Sequence, residues 1–127
     1  MDARSQTDDL VALSHPGAEQ YVGLEAFRNP GVQRVELTSD ELIAVCPLTR
    51  RLDLYIVTIA YTPDRLCLES KSLRLYLSRF HDEEHFCEAL AVRIRDDVAT
   101  ALELTADRVQ VTLAQKARGG ITITAVA

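Results

Sequence analysis

The sequence predicts an α+β domain in which strands and helices form two layers. Three observations lead to this prediction. Two segments with strong β-propensity lie within residues 34–61, two helical patterns follow within residues 70–104, and a second pair of alternating apolar segments occupies residues 109–124. We therefore expect the order strand, strand, helix, helix, strand, strand, with both helices on one face of an antiparallel sheet.

A short loop separates the first two predicted strands. The first strand has apolar residues in polar surroundings, at Val35, Leu37, Ile43 and Val45, with an interruption near Ser39-Asp40. Proline cannot donate to a sheet ladder, so this strand should end at Cys46-Pro47. The second strand is predicted over residues 52–61, and Thr62-Pro63-Asp64 indicates a turn after it.

The two helices are predicted from capping and periodicity. Ser70 is a suitable N-cap for the first helix, whose apolar residues include Leu73, Leu75, Tyr76 and Leu77. The second is predicted over about residues 82–104, with acidic residues in its first turn. Its apolar residues recur every fourth position, at Phe86, Leu90, Ile94 and Val98.

The two ends of the chain differ in character. Residues 1–33 carry acids, prolines and glycines with only short apolar stretches, so we expect an N-terminal arm before a domain of residues 34–127. Near the other end, Gly119-Gly120 lies between the last two predicted strands. Glycines in this position predict a hairpin turn.

Composition excludes several classes of function. The chain has 127 residues, 47% of them hydrophobic, and its 19 acids and 14 bases give a net charge of −5, which argues against nucleic-acid binding as the main task. No apolar run is long enough to span a bilayer and no signal pattern opens the sequence, so we expect a cytosolic protein without membrane contact. A chain this short often builds a large site between subunits, which predicts a homo-oligomer.

Three cysteines, Cys46, Cys67 and Cys87, lack C-x-x-C spacing. Because their number is odd and the C-x-x-C spacing is absent, the cysteines predict neither a disulfide framework nor a zinc site. Cys46 differs from the others because Asp53 stands seven residues later, across the loop. A thiolate nucleophile with a nearby proton donor suits addition to an unsaturated carbon. The alternative is a buried structural cysteine and a surface acid.

A second candidate segment, residues 68–76, places a carboxylate at a strand-to-helix junction. Glu69 is suited to bind the N–H edge of a guanine-like base through charge-assisted hydrogen bonds. Lys71 and Arg74 are three residues apart and can face one phosphate. The alternative is an amphipathic helix with a solvated basic face.

Several motifs occur in order over about residues 42–125. They are Ala-Val-Cys46-Pro-Leu-Thr, the later Asp53, Tyr61-Thr-Pro-Asp-Arg-Leu-Cys-Leu-Glu69, Glu-Ser-Lys-Ser-Leu-Arg-Leu-Tyr and Arg118-Gly-Gly-Ile. Together they resemble the 7-cyano-7-deazaguanine reductases of queuosine biosynthesis. The resemblance implies a tunnelling fold, related to that of GTP cyclohydrolase I, in which subunits associate into a barrel with active sites between them.

The resemblance also implies residue roles. Cys46 would add to the nitrile carbon to form a thioimide and Asp53 would donate the proton, with two hydrides from NADPH and no metal. The substrate, a deazapurine nitrile, would be held by Glu69 and Glu88, with Leu68, Ser70 and Cys87 beside it. The NADPH contacts would come from Lys71, Arg74, Arg118 and Gly119.

The chain departs from the family pattern in two places near this site. Gly-Gln-Pro is common where this chain has Arg50-Arg51-Leu52, and His-Glu is common where it has Cys87-Glu88. Two alternatives therefore stay open. One is an archaeosine-forming amidinotransferase, which resembles this chain in its Cys and Asp. The other is a non-catalytic protein that binds a deazapurine or pterin.

Overall fold

The structure is a computed structural model that describes residues 23–127. Residues 1–22, most of the predicted arm, lie outside the described residues. The strands are β1 (Ala26–Arg28), β2 (Val35–Val45), β3 (Leu52–Tyr61), β4 (Leu66–Leu68), β5 (Val109–Arg118) and β6 (Ile121–Val126). The α-helices are α1 (Ser70–Ser78) and α2 (Cys87–Leu102), and 3₁₀ turns occupy Arg79–Asp82 and Ala106–Arg108.

The main sheet has four antiparallel strands in the order β2-β3-β5-β6. The β2–β3 register runs from Val35 opposite Tyr61 to Val45 opposite Leu52, and it shifts between Ser39 and Leu42, where the sequence predicted an interruption. The β5–β6 hairpin turns at Gly119 and Gly120, which have φ angles of +60° and +80°. Glycine adopts this left-handed region without a steric penalty, so the predicted hairpin is confirmed.

The core lies between the helices and one face of the sheet. Alternate residues of β3 and β5 point into it, together with the apolar stripe of α2 formed by Leu90, Ile94 and Val98. The opposite face of β3 leaves Leu52, Leu54 and Ile56 exposed by 48%, 41% and 40%. Within residues 23–127, no helix combines the length and apolar character needed to cross a membrane.

The predicted helix starts need correction. The N-cap of α1 is Glu69, not Ser70, because the Glu69 carboxylate accepts hydrogen bonds from the Lys71 and Ser72 N–H groups. Helix α2 begins at Cys87 rather than near residue 82. The intervening backbone bonds to β2 instead, since Val45 N donates to Glu83 O and His85 N donates to Val45 O.

Two short strands were not predicted. Strands β1 and β4 form a two-stranded antiparallel sheet in which Ala26 lies opposite Leu68. Strand β1 falls within the segment that the sequence predicted as an arm. Three residues are too few to show the alternation on which strand prediction depends.

Candidate active site

The loop between β2 and β3 holds Cys46 at its first position. Cys46 N donates to Arg51 O at 2.8 Å and Arg50 N donates to Cys46 O at 2.9 Å, which closes the loop. Arg50 has a φ of 61°, in the left-handed region, and its guanidinium pairs with Glu84 at 3.1 Å. Arg50 therefore holds the backbone conformation that glycine would supply at the same position of the Gly-Gln-Pro pattern.

The surroundings of Cys46 favour its thiolate. A hydrogen bond from the Thr49 hydroxyl, followed by bonds from the backbone N–H groups of Thr49 and Leu48, lowers the pKa of the Cys46 thiol below its ordinary value. Burial raises the pKa of Cys67, and it raises that of Cys87 to about 11. Because the thiolate is the nucleophilic form, Cys46 is the best placed of the three thiols to react.

Asp53, at the start of β3, pairs with Arg118 at the end of β5. Arg118 Nη1 lies 2.5 Å from Asp53 Oδ1. The two residues meet because β3 and β5 are antiparallel, so the start of one strand lies at the same edge as the end of the other. Asp53 is only 5% exposed, and its charge is balanced by the guanidinium.

These groups share one cavity of about 370 Å³. Its lining residues are Cys46, Thr49, Arg51, Asp53, Gln115, Arg118 and Gly119. Cys46, Asp53, Arg118 and Gly119 had been predicted as site residues from the sequence, whereas Thr49, Arg51 and Gln115 had not. Gln115 continues the inward positions 109, 111 and 113 of β5. Gln115 is polar at a position where the alternation of β5 predicts an apolar residue, and this was the signal that could have identified it from the sequence.

The start of α2 lies near this cavity. The charges of Glu88 and Asp53 both contribute to the raised pKa of Cys87. Glu88 is exposed in the first helical turn. Cys87 is 2% exposed within the apolar core, and its thiol donates to Leu113 O at 3.6 Å. Of this pair, Glu88 is the residue that the described chain leaves accessible to a ligand.

The second candidate segment forms a separate surface. Leu68 is buried in β4, and the Glu69 carboxylate is engaged in capping α1. Ser70, Lys71 and Arg74 line an open depression of about 460 Å³ at the first turns of α1. Two cations beside a hydroxyl suit an anionic group such as a phosphate.

The two groups line separate cavities. Leu68 N donates to the Tyr61 hydroxyl at 2.8 Å, which ties the start of the α1 segment to the last residue of β3, whereas Asp53 lies near the first residue of that strand. Further along α1, Arg74 also lines a depression with Ser39 and Glu41 of β2. Among the described residues, neither Lys71 nor Arg74 lines the Cys46 cavity.

Comparison with known proteins identifies the family. The family model for QueF-like proteins matches residues 53–127. The chain belongs to the QueF-like protein family. It is 40% identical over 107 residues to the NADPH-dependent 7-cyano-7-deazaguanine reductase of Nitrosospira multiformis, covering 82% of this chain and 76% of that protein. It is 38% identical over 117 residues to the reductase of the same name from Frankia casuarinae, covering 91% and 92%. The resemblance inferred from the sequence motifs is thus confirmed.

A solved structure supports the fold. The crystal structure of the archaeosine synthase QueF-Like in the apo form matches with a TM-score of 0.68 at 23% identity, covering 76% of this chain and 93% of that one. This likeness confirms the predicted α+β fold with an antiparallel sheet and two helices.

Proposed function

We propose that this chain uses NADPH to reduce the nitrile of 7-cyano-7-deazaguanine to a primary amine through a covalent adduct on Cys46. Relatives that are 40% and 39% identical to it over 107 residues carry the name of that reductase. The observation that carries the proposal is the cavity in which a thiol of lowered pKa meets the Asp53–Arg118 pair. A cytosolic location remains part of the proposal.

The proposed first step is addition of Cys46 to the nitrile. The sulfur bonds to the nitrile carbon, one π bond of the C≡N group breaks, and the nitrogen takes a proton, giving a thioimide. As the partner of a guanidinium, Asp53 enters as a carboxylate. It is suited to accept the thiol proton and to return it to the nitrile nitrogen, so that no net proton is needed for the addition.

The later steps require hydride. NADPH supplies two hydrides in two successive binding events, and two protons complete the conversion of the nitrile to an aminomethyl group. Lys71 and Arg74, with Ser70, offer a cationic surface that fits its phosphates. When the sulfur–carbon bond breaks, Cys46 leaves as a thiolate, which the hydrogen bonds from Thr49 and Leu48 stabilise.

A homo-oligomer would join the two separated surfaces. We propose that Ser70, Lys71 and Arg74 of one subunit face the Cys46 cavity of a neighbour. The exposed apolar residues of β3 support such a contact, because adjacent exposed side chains of this type are typical of interfaces. Glu88, exposed beside the cavity, would recognise the deazaguanine edge. Glu69 would hold the cationic turn of α1 in place through its cap and add to base recognition at the interface.

The proposal is tested by following NADPH and product together. Wild-type protein mixed with 7-cyano-7-deazaguanine should oxidise two equivalents of NADPH for each aminomethyl product, whereas Cys46→Ala should oxidise none. Incorporation of ammonia without NADPH oxidation would contradict the reductase and favour the amidinotransferase. Binding without any turnover would favour the non-catalytic protein, to which the buried Cys87 and the altered loop point.

A further inference from the structure

Tyr55 carries a buried hydroxyl that has no hydrogen-bond partner among residues 23–127. Its side chain is 0% exposed, and its oxygen makes no hydrogen bond within the described chain. A buried polar group without a partner is destabilising and is rare in native structures. Such an atom indicates either a site of function or a partner that the free protein does not provide.

The other tyrosines of residues 23–127 are satisfied. The Tyr61 hydroxyl accepts from Leu68 N at 2.8 Å, and the Tyr76 hydroxyl donates to Asp97 Oδ2 at 2.5 Å. Tyr61 lies on the same strand as Tyr55 and is equally buried. The lack of a partner at Tyr55 is therefore a property of its location and not of the strand.

That location adjoins the proposed catalytic groups. Tyr55 follows Asp53 by two residues, so both side chains leave β3 on the same face. Burial is the main cause that raises the pKa of Tyr55 far above its usual range. Among the ionisable neighbours that add to this effect, Asp53 is the strongest, followed by Cys87, Cys46 and Glu88. The Tyr55 hydroxyl therefore stays protonated and available as a neutral donor.

Arg118 holds Asp53 in the free protein and lines the cavity itself. An anionic ligand that binds Arg118 would compete with Asp53 for the guanidinium. The buried carboxylate would then lose its only charge-assisted hydrogen bond within the described chain. A neutral donor close by is what would keep it in place without adding a competing charge.

We propose that Tyr55 is a positioning residue for Asp53, and that its hydroxyl donates to the Asp53 carboxylate when an anionic ligand engages Arg118. The inference rests on the proposed function, since Asp53 is there the group that moves the proton. It reconciles the Asp53–Arg118 pair with the expectation that Arg118 meets a phosphate. It also gives the unpartnered hydroxyl a partner in the liganded state.

Tyr55→Phe removes only the hydroxyl. Because the described part of the chain offers this hydroxyl no hydrogen bond, urea unfolding of Tyr55→Phe should show stability equal to or above that of wild type. Formation of the Cys46 adduct, followed by intact mass in the presence of inorganic pyrophosphate as the anion, should slow by about tenfold. Tyr61→Phe is the matched control, and it should lose stability while keeping the wild-type rate.

A double-mutant cycle decides whether Tyr55 acts through Asp53. In an Asp53→Asn background, Tyr55→Phe should change the adduct rate by less than about twofold, because the group it positions is gone. A wild-type rate in the Tyr55→Phe single variant would overturn the proposal. Independent, multiplying effects of the two substitutions would also overturn it, since they would mean that the hydroxyl acts without Asp53.

A second readout does not depend on nitrile chemistry. Inorganic pyrophosphate should bind wild-type protein about tenfold more tightly than Tyr55→Phe, because only wild type can satisfy Asp53 once Arg118 is engaged. Equal affinities by calorimetry would overturn the role of Tyr55. If wild type forms no adduct, the proposed function fails, and this comparison still decides the role of Tyr55.

Discussion

The guanidinium of Arg118 lies 2.5 Å from the buried carboxylate of Asp53, and this contact fastens the end of β5 to the start of β3. The Arg118 side chain is 30% exposed. The pair thus combines a buried acid with a partly solvated base. Removing Arg118 leaves a buried, unpaired charge on Asp53, whereas removing Asp53 leaves a guanidinium that water can reach.

Arg118→Ala is expected to lower the free energy of unfolding by about 1–3 kcal/mol, because Asp53 is left buried without its charge-assisted bond. Urea unfolding measures the loss. Arg65→Ala is the control, since it breaks an exposed pair with Glu103 at 2.6 Å and should cost at most about 1 kcal/mol. Adding Asp53→Asn to Arg118→Ala should recover part of the loss. Equal losses in the two single variants would contradict a buried pair.

Arg50→Gly should be more stable than Arg50→Ala by about 1 kcal/mol, because alanine keeps the left-handed strain that glycine lacks. Both variants lose the ion pair with Glu84 equally, so their difference reports the backbone alone. At Arg51, which is outside the left-handed region, the order should reverse. Matching orders at the two positions, by thermal or urea unfolding, would argue against this loop conformation.

Thr49→Val should make Cys46 less reactive at neutral pH. The Thr49 hydroxyl is the largest cause of the lowered pKa of Cys46, so its loss moves the midpoint of thiol ionisation upward, towards that of an unperturbed cysteine. The rate of iodoacetamide alkylation against pH, read by peptide mass, should shift to higher pH. Thr38→Val, on the solvated side of the sheet, is the control. An unshifted profile in Thr49→Val would exclude the hydrogen bond.

Glu69→Ala should destabilise the protein by about 0.5–2 kcal/mol, since it removes the cap of α1. Ser70→Ala should be nearly silent, although the sequence had favoured Ser70 as the cap. Glu69→Asp should restore part of the loss by retaining a capping carboxylate. If Ser70→Ala proved the more damaging change in urea, the helix would begin one residue later than described.

Periodicity accounts for how much of the fold was predictable. The long strands and the α2 stripe follow from alternation and four-residue spacing, and the β5–β6 turn follows from its glycines. The start of α2 was wrong because residues 83–85 bond to β2, a contact between segments that sequence alone does not reveal. Strands β1 and β4 are too short to show any period.

In the candidate site, too, some features were predictable from the sequence and others depend on contacts between distant segments. Cys46 and Asp53 were predicted as a pair because one short loop separates them in the sequence, and both line the same cavity. Their catalytic roles stay a prediction. The approach of Arg118 to Asp53 depends on the β3–β5 register, so the sequence suggested a phosphate partner for Arg118 but not this contact. Cys87 had been expected beside the substrate, and its burial at 2% exposure comes from the packing of α2 on β5. That expectation stays a prediction.

The most direct test of the account is covalent trapping on the thiol. Wild-type protein incubated with 7-cyano-7-deazaguanine in the absence of NADPH should gain the mass of one substrate molecule per chain, with the adduct mapped to Cys46. Cys67→Ala and Cys87→Ala should gain the same mass, and Cys46→Ala should gain none. An adduct that persists in Cys46→Ala, or no adduct in wild type under conditions where the substrate binds, would contradict the central claim.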